Sequence, residues 1–304
     1  MTKFLQFELW KNCHVGCKFC FNKYQPLSNT EQKLTVLDKV LFVLNSDEVE
    51  EYDEIGFIGG EFFGGQLDTK EVRDKFYEAI DIIINRMKQD KIYKFYIATS
   101  LIFDLNTEFN YFIQKFIDAK VLRRLSINTS YDIEGRFKTN KEKHLWEMNV
   151  LGLHAQYPML TMHTQIVLTQ NFIENVLSGN FDIRDFVTKY NTSVDYNIPH
   201  IGYDYRDKKE FNQLVPNFLP KREDFLKFLN KTVIEDKVID INRLFDCKTK
   251  ADTMYLIYIN TIYRITNKNY KTLLPFGLYD KSGYVDSEIK MWDDIAKFKA
   301  ELDV

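Results

Sequence analysis

Six times between residues 1 and 235 a short apolar run gives way to a longer segment with apolar residues at helical spacing. This alternation narrows the possible folds more than any other feature of the chain. The runs are residues 4–10, 55–58, 93–98, 125–130, 160–169 and 193–199. Behind the first, Ser28-Asn29-Thr30-Glu31 reads as a capping box, followed by Leu34, Leu37, Val40, Leu41 and Leu44. Behind the second, Asp68-Thr69-Lys70-Glu71 has the same form, and Val72, Phe76, Ala79, Ile80, Ile83 and Met87 make the apolar stripe. Phe109, Phe112, Ile113, Phe116 and Ile117 follow the third run. A cap at Thr139 to Glu142 with Leu145, Met148 and Leu151 follows the fourth. Further helices are expected from about residue 171 and from residue 220. Such alternation predicts an α/β fold with a parallel sheet, helices outside it and right-handed crossovers. In barrels of parallel strands, chemistry gathers at the carboxyl ends of the strands.

Two motifs stand at those ends. Directly after the first run come Cys13, Cys17 and Cys20, spaced C-x3-C-x2-C, which are three of the four cysteines in the chain. A closed iron–sulfur cluster takes four cysteines. Three leave one iron with an open position, where a substrate or cofactor binds. Gly16 lets so short a loop bend. Directly after the second run stands Gly59-Gly60-Glu61, within a turn that also holds Gly64 and Gly65.

The cysteine spacing, with aromatic Phe19 before the last cysteine, and the later Gly-Gly-Glu together resemble the radical S-adenosylmethionine enzymes. The resemblance in pattern spans residues 1–235. It implies a partial (β/α)6 barrel, with residues 236–304 as a C-terminal extension covering it. It implies a [4Fe–4S] cluster on Cys13, Cys17 and Cys20, with S-adenosylmethionine chelating the fourth iron. Reductive cleavage would then give a 5′-deoxyadenosyl radical that abstracts hydrogen from a substrate. An external electron donor of the flavodoxin or ferredoxin kind follows from that chemistry. Gly59 and Gly60 would let backbone approach the methionine end. Glu61, or a carbonyl beside it, would accept from the ammonium. Ser126, Asn128 and Ser130 would offer groups to the ribose, and Arg136 would pair with the carboxylate. Ile166, Val167 and the segment Asn197-Ile198-Pro199 would flank the adenine. No catalytic side chain is assigned.

Each motif has a plainer competitor. The triplet can be a zinc site with His14 or Cys247 as fourth ligand, and Gly59-Gly60-Glu61 an ordinary turn. Arg136 can be a surface ion pair, and Ser126, Asn128 and Ser130 polar positions inside a barrel. Lys138, Lys141 and Lys143 read as a solvated face. In the extension, residues 254–259 and 262–266 read as a hairpin and residues 288–302 as a helix. Cys247 alone does not support a second cluster.

The net charge of −3 gives no overall field toward nucleic acid or membranes. No apolar run approaches the ~20 residues of a membrane span, and residues 1–8 do not form a signal peptide. Clustered thiols without a disulfide pattern fit a reducing cytoplasm. The first substrate class is a peptide or protein, because an appendage after the barrel resembles that branch. A nucleotide or nucleic-acid base is the alternative, for which Tyr203, Tyr205 and Arg206 offer stacking and charge. A non-enzymatic iron–sulfur or zinc protein is the third.

Overall fold

The computed structural model describes residues 4–17, 20, 27–105, 107–133, 135–197, 224, 227, 228, 231, 232, 253–258 and 261–266. Four strand–helix pairs and a fifth strand follow in order. They are β1 (Phe4–Glu8) and α1 (Thr30–Leu44), β2 (Glu54–Ile58) and α2 (Lys70–Lys88), β3 (Lys94–Ala98) and α3 (Thr107–Asp118), β4 (Leu125–Tyr131) and α4 (Asn140–Gln156), then β5 (Thr161–Val167). After β5 come two short helices, α5 (Gln170–Leu177) and α6 (Ile183–Tyr190), in place of the single expected one. Gly179, at φ +78°, and the Asp182 cap divide them. β6 (Ser193–Asn197) completes six parallel strands in the order β6-β5-β4-β3-β2-β1. The expected helix from residue 220 and the expected helix at residues 288–302 lie outside the described residues, apart from Asp224, Lys227, Phe228, Lys231 and Thr232.

The hairpin is present as β7 (Thr253–Tyr258) and β8 (Thr261–Thr266). It does not stand apart from the barrel sheet. β7 pairs in parallel with β1, placing Tyr255 beside Phe7, so the hairpin continues the sheet past its first strand.

Side chains alternate along each strand between a helix-facing side and an inner side. Phe57 meets Phe95 edge-on at 5.1 Å and Phe76 of α2 at 6.1 Å, and Phe95 stacks on Phe116 of α3 at 6.0 Å. Tyr131 packs among Trp146 of α4 and Phe186 of α6. Burying each such ring is worth roughly 1.5–3 kcal/mol. Register therefore places Leu5, Phe7, Ile55, Phe57, Phe95, Ile97, Leu125, Ile127, Tyr131, Met162 and Ile166 toward the helices. The inner side takes Gln6, Glu8, Gly56, Tyr96, Ala98, Ser126, Asn128, Ser130, His163, Gln165 and Val167.

Two local expectations are corrected. The first helix is capped one residue later than expected, by Asn29, whose side chain accepts from Gln32 N–H while Gln32 answers at Asn29 N–H. An amide at N-cap and a glutamine at N3 close the same reciprocal box. In α4 the buried stripe is Trp146, Asn149, Val150 and Leu153, whereas Met148 and Leu151 are 54% and 38% exposed. This helix is apolar on both faces, so spacing alone cannot choose between them. Trp146 decides it, since its indole N–H reaches the Thr129 hydroxyl at 3.0 Å.

Candidate functional site

The cysteine loop leaves β1 and runs against the glycine turn that leaves β2. Leu9 N–H donates to Ile58 O at 3.0 Å, Gly60 N–H to Trp10 O at 2.6 Å and Glu61 N–H to Asn12 O at 2.7 Å. These bonds carry the pairing of β1 and β2 beyond the strands. Side chains would not fit there. A β-carbon on Gly59, which has φ +143°, would sit 2.6 Å from Trp10 O, and one on Gly60 would overlap Asn12 O. The space these glycines leave is filled by the backbone of the cysteine loop itself. Asn12 then closes the loop, accepting from Ser28 N–H at 2.8 Å and donating to Ser28 O at 3.0 Å.

Glu61 is fully buried. Its Oε1 accepts from Phe62 N–H (2.8 Å), Phe63 N–H (3.0 Å) and the Thr99 hydroxyl (2.9 Å). Its Oε2 accepts from Ser100 N–H at 2.6 Å and lies 3.1 Å from the Thr99 hydroxyl. Its own carbonyl accepts from the Trp10 indole at 2.9 Å. The expected free acceptor is therefore occupied by this chain's own donors, and Glu61 ties the loops after β1, β2 and β3 together.

The loop after β3 is held from two further sides. Asn149 Nδ2 donates to Leu101 O (3.0 Å) and Phe103 O (2.7 Å). His14 Nε2 lies 2.7 Å from Ile102 O. Between them Leu101 takes a left-handed φ of +54°, which a leucine adopts only where its surroundings impose it.

Arg136, from the loop after β4, reaches the cysteine loop. Its Nη1 is 3.9 Å from Cys17 Sγ, and its Nη2 donates to Ser100 O at 3.0 Å. It is 6% exposed, which removes the surface ion-pair reading, and its buried Nε has no hydrogen-bond partner among the described residues. Lys138 Nζ donates to His14 O at 3.2 Å, so the first lysine of the basic run also rests on the cysteine loop.

Cys13, Cys17 and Cys20 are thiols outside any disulfide, and Cys20 N–H closes a turn on Cys17 O at 3.1 Å. Burial pushes the Cys13 thiol up, with the Glu61 carboxylate and Cys17 adding to it. Burial also pushes Cys17 up, while the Arg136 cation pulls it back. Among the described residues no three His, Cys, Asp or Glu side chains converge on one metal ion. Thiolates of a cubic cluster each bind a different iron and need not converge on a point. A three-thiol loop beside a buried cation with an unsatisfied N–H suits an anionic metal–thiolate group. Phe19 and Cys247 lie outside the described residues.

The remaining expected cofactor residues separate. Ser126 is fully buried and its hydroxyl donates to Asn128 Oδ1 at 3.2 Å, which leaves Asn128 and Ser130 as the partly exposed inner positions on β4. Ile166 is fully buried on the helix-facing side, in register with Tyr131, and does not reach the inner side; its neighbour Val167 does. Asn197 ends β6 in register with Val167. Ile198, Pro199, Tyr203, Tyr205 and Arg206 lie outside the described residues. Thr99, Ser100, Asn149 and Asn12 were not among the expected site residues. The polar pair Thr99-Ser100 at the end of an apolar run was the one available signal.

No family model matches the chain, and no curated protein matches it. Among solved structures the chain is similar to SuiB of Streptococcus suis, crystallised bound to S-adenosylmethionine. The TM-score is 0.50 at 10% identity, over 97% of this chain and 68% of SuiB. At that identity the likeness is one of fold. The chain thus has an α/β fold of alternating strands and helices on a six-stranded parallel sheet, shared with SuiB, and this is the partial-barrel arrangement that the two motifs imply.

Proposed function

We propose that this chain is a radical S-adenosylmethionine enzyme acting on a peptide or protein. One observation carries the reading: the three-cysteine loop and the Gly59-Gly60-Glu61 turn, distant in sequence, are bonded backbone to backbone at the carboxyl ends of β1 and β2. In this reading Cys13, Cys17 and Cys20 would hold a [4Fe–4S] cluster as thiolates, leaving one iron open to S-adenosylmethionine. When bound, the pair supplies one-electron cleavage of a sulfonium C–S bond and hydrogen abstraction from the substrate.

The chain's own residues bind and orient. The Nε of Arg136, without a hydrogen-bond partner among the described residues, would donate to the methionine carboxylate, a charge-assisted bond of the stronger kind. With both the carboxylate and the carbonyl of Glu61 engaged, the ammonium is left to other backbone carbonyls of the turn. Asn128 and Ser130 offer groups to the ribose. Of the two residues expected beside the adenine on β5, Val167 faces the inner side and takes that role. A peptide substrate is supported by the hairpin appended after the six units.

Anaerobic reconstitution should give a brown protein with about four irons, and Cys17→Ala should abolish it. Reductant and S-adenosylmethionine should then yield 5′-deoxyadenosine. A colourless protein holding one zinc ion would overturn the reading. Deuterium appearing in 5′-deoxyadenosine from the labelled peptide fraction of a cell extract supports the substrate class; transfer from the nucleic-acid fraction reverses it.

A further inference from the structure

We propose that Arg136 is a positioning residue that sets how readily the bound cluster accepts an electron, by donating a charge-assisted hydrogen bond to the Cys17 thiolate. The inference rests on the functional reading above and assigns this guanidinium a second task beside the methionine carboxylate.

The geometry constrains Arg136 to face that sulfur. Its Nη2 is anchored on Ser100 O at 3.0 Å, and the same carbonyl lies 3.3 Å from the Thr129 hydroxyl. Ser100 is itself held through its N–H by Glu61 Oε2. With one end of the planar fork tied to a fixed carbonyl, Nη1 stays 3.9 Å from Cys17 Sγ. Burial removes the water that would otherwise screen the charge.

Arg136 Nη1 is the cationic group in direct contact with Cys17 Sγ. Adding an electron makes the cluster and its sulfurs more negative. A cation and donor on one sulfur stabilises that state, and hydrogen bonds to the sulfurs are among the determinants of cluster potential.

The test is an equilibrium titration of the reconstituted protein against viologen mediators, followed by EPR, with iron content measured alongside. In Arg136→Gln the ratio of reduced to oxidised cluster at a fixed solution potential should fall about tenfold or more, equivalent to about 59 mV for one electron. Arg136→Lys should fall between. A merely structural role would lower iron content without moving the potential of the clusters that remain, and unmoved potentials in both variants overturn the inference. Should neither variant hold iron, wild-type protein labelled with 15N-arginine answers the question. Pulsed EPR of the reduced cluster should show a nitrogen coupling, and its absence is equally fatal. A wild-type chain that binds no iron removes the functional reading and this inference together, whereas a loaded wild type with unmoved potentials removes this inference alone.

Discussion

A β-carbon on Gly60 would occupy the place of the Asn12 carbonyl oxygen. That oxygen also accepts the Glu61 N–H, so the contact cannot be relieved by turning a side chain. Gly60→Ala should push the cysteine loop off the glycine turn at a cost of about 1–3 kcal/mol. Iron bound per chain after reconstitution should fall further than the loss in thermal midpoint alone explains. Iron content equal to wild type would contradict the placement.

Glu61→Gln tests the buried hub. Its carboxylate faces donors only, the N–H groups of Phe62, Phe63 and Ser100 and the Thr99 hydroxyl. An amide turns one acceptor into a donor against them. The expected loss is about 1–3 kcal/mol in denaturant unfolding, the cost of a buried unsatisfied polar group. A change below about 0.5 kcal/mol would show that the hub tolerates a misplaced donor.

Gly56 and Tyr96 form a testable pair on the inner side of the sheet. The Tyr96 ring lies across Gly56, where a β-carbon would overlap it, and its hydroxyl donates to Gln6 Oε1. Gly56→Ala alone should destabilise by about 1–3 kcal/mol. Combined with Tyr96→Ala, most of that increment should vanish, giving a coupling above about 0.5 kcal/mol in a double-mutant cycle. Additive losses would mean that the ring does not rest on the glycine.

His154, in the last turn of α4, provides a pH prediction. Burial holds its imidazole below the usual 6.5, so the folded state resists the proton more than the unfolded chain does. Its contribution is fully present above pH 6.5 and declines as pH falls through that value toward the folded one. His154→Gln should flatten the stability profile in that acid window. A profile that keeps its slope in the variant would assign the titration to another group.

The two motifs and the strand–helix order were legible because each rests on local sequence: three thiols on one loop, a glycine pair after an apolar run, and two distinct periods. The partners of Glu61 were not legible, since Thr99 and Ser100 reach it only through the parallel pairing of β2 with β3. That only Val167 of the expected pair Ile166 and Val167 faces inward has a simple origin. Within a long apolar run a single residue of register reverses which side faces inward, and the sequence carries no marker for it. The same ambiguity, at period 3.6, turned the face of α4 until the Trp146 indole settled it.

β1 carries the cysteine loop, and β7, more than two hundred residues later, lies alongside it. A chain emerging from the ribosome therefore exposes its cysteine loop on a strand whose second flank has not yet been made. Any group loaded onto those cysteines during synthesis would meet the loop before β7 has joined β1. Removal of the distal hairpin by a protease would return the finished protein toward that nascent condition.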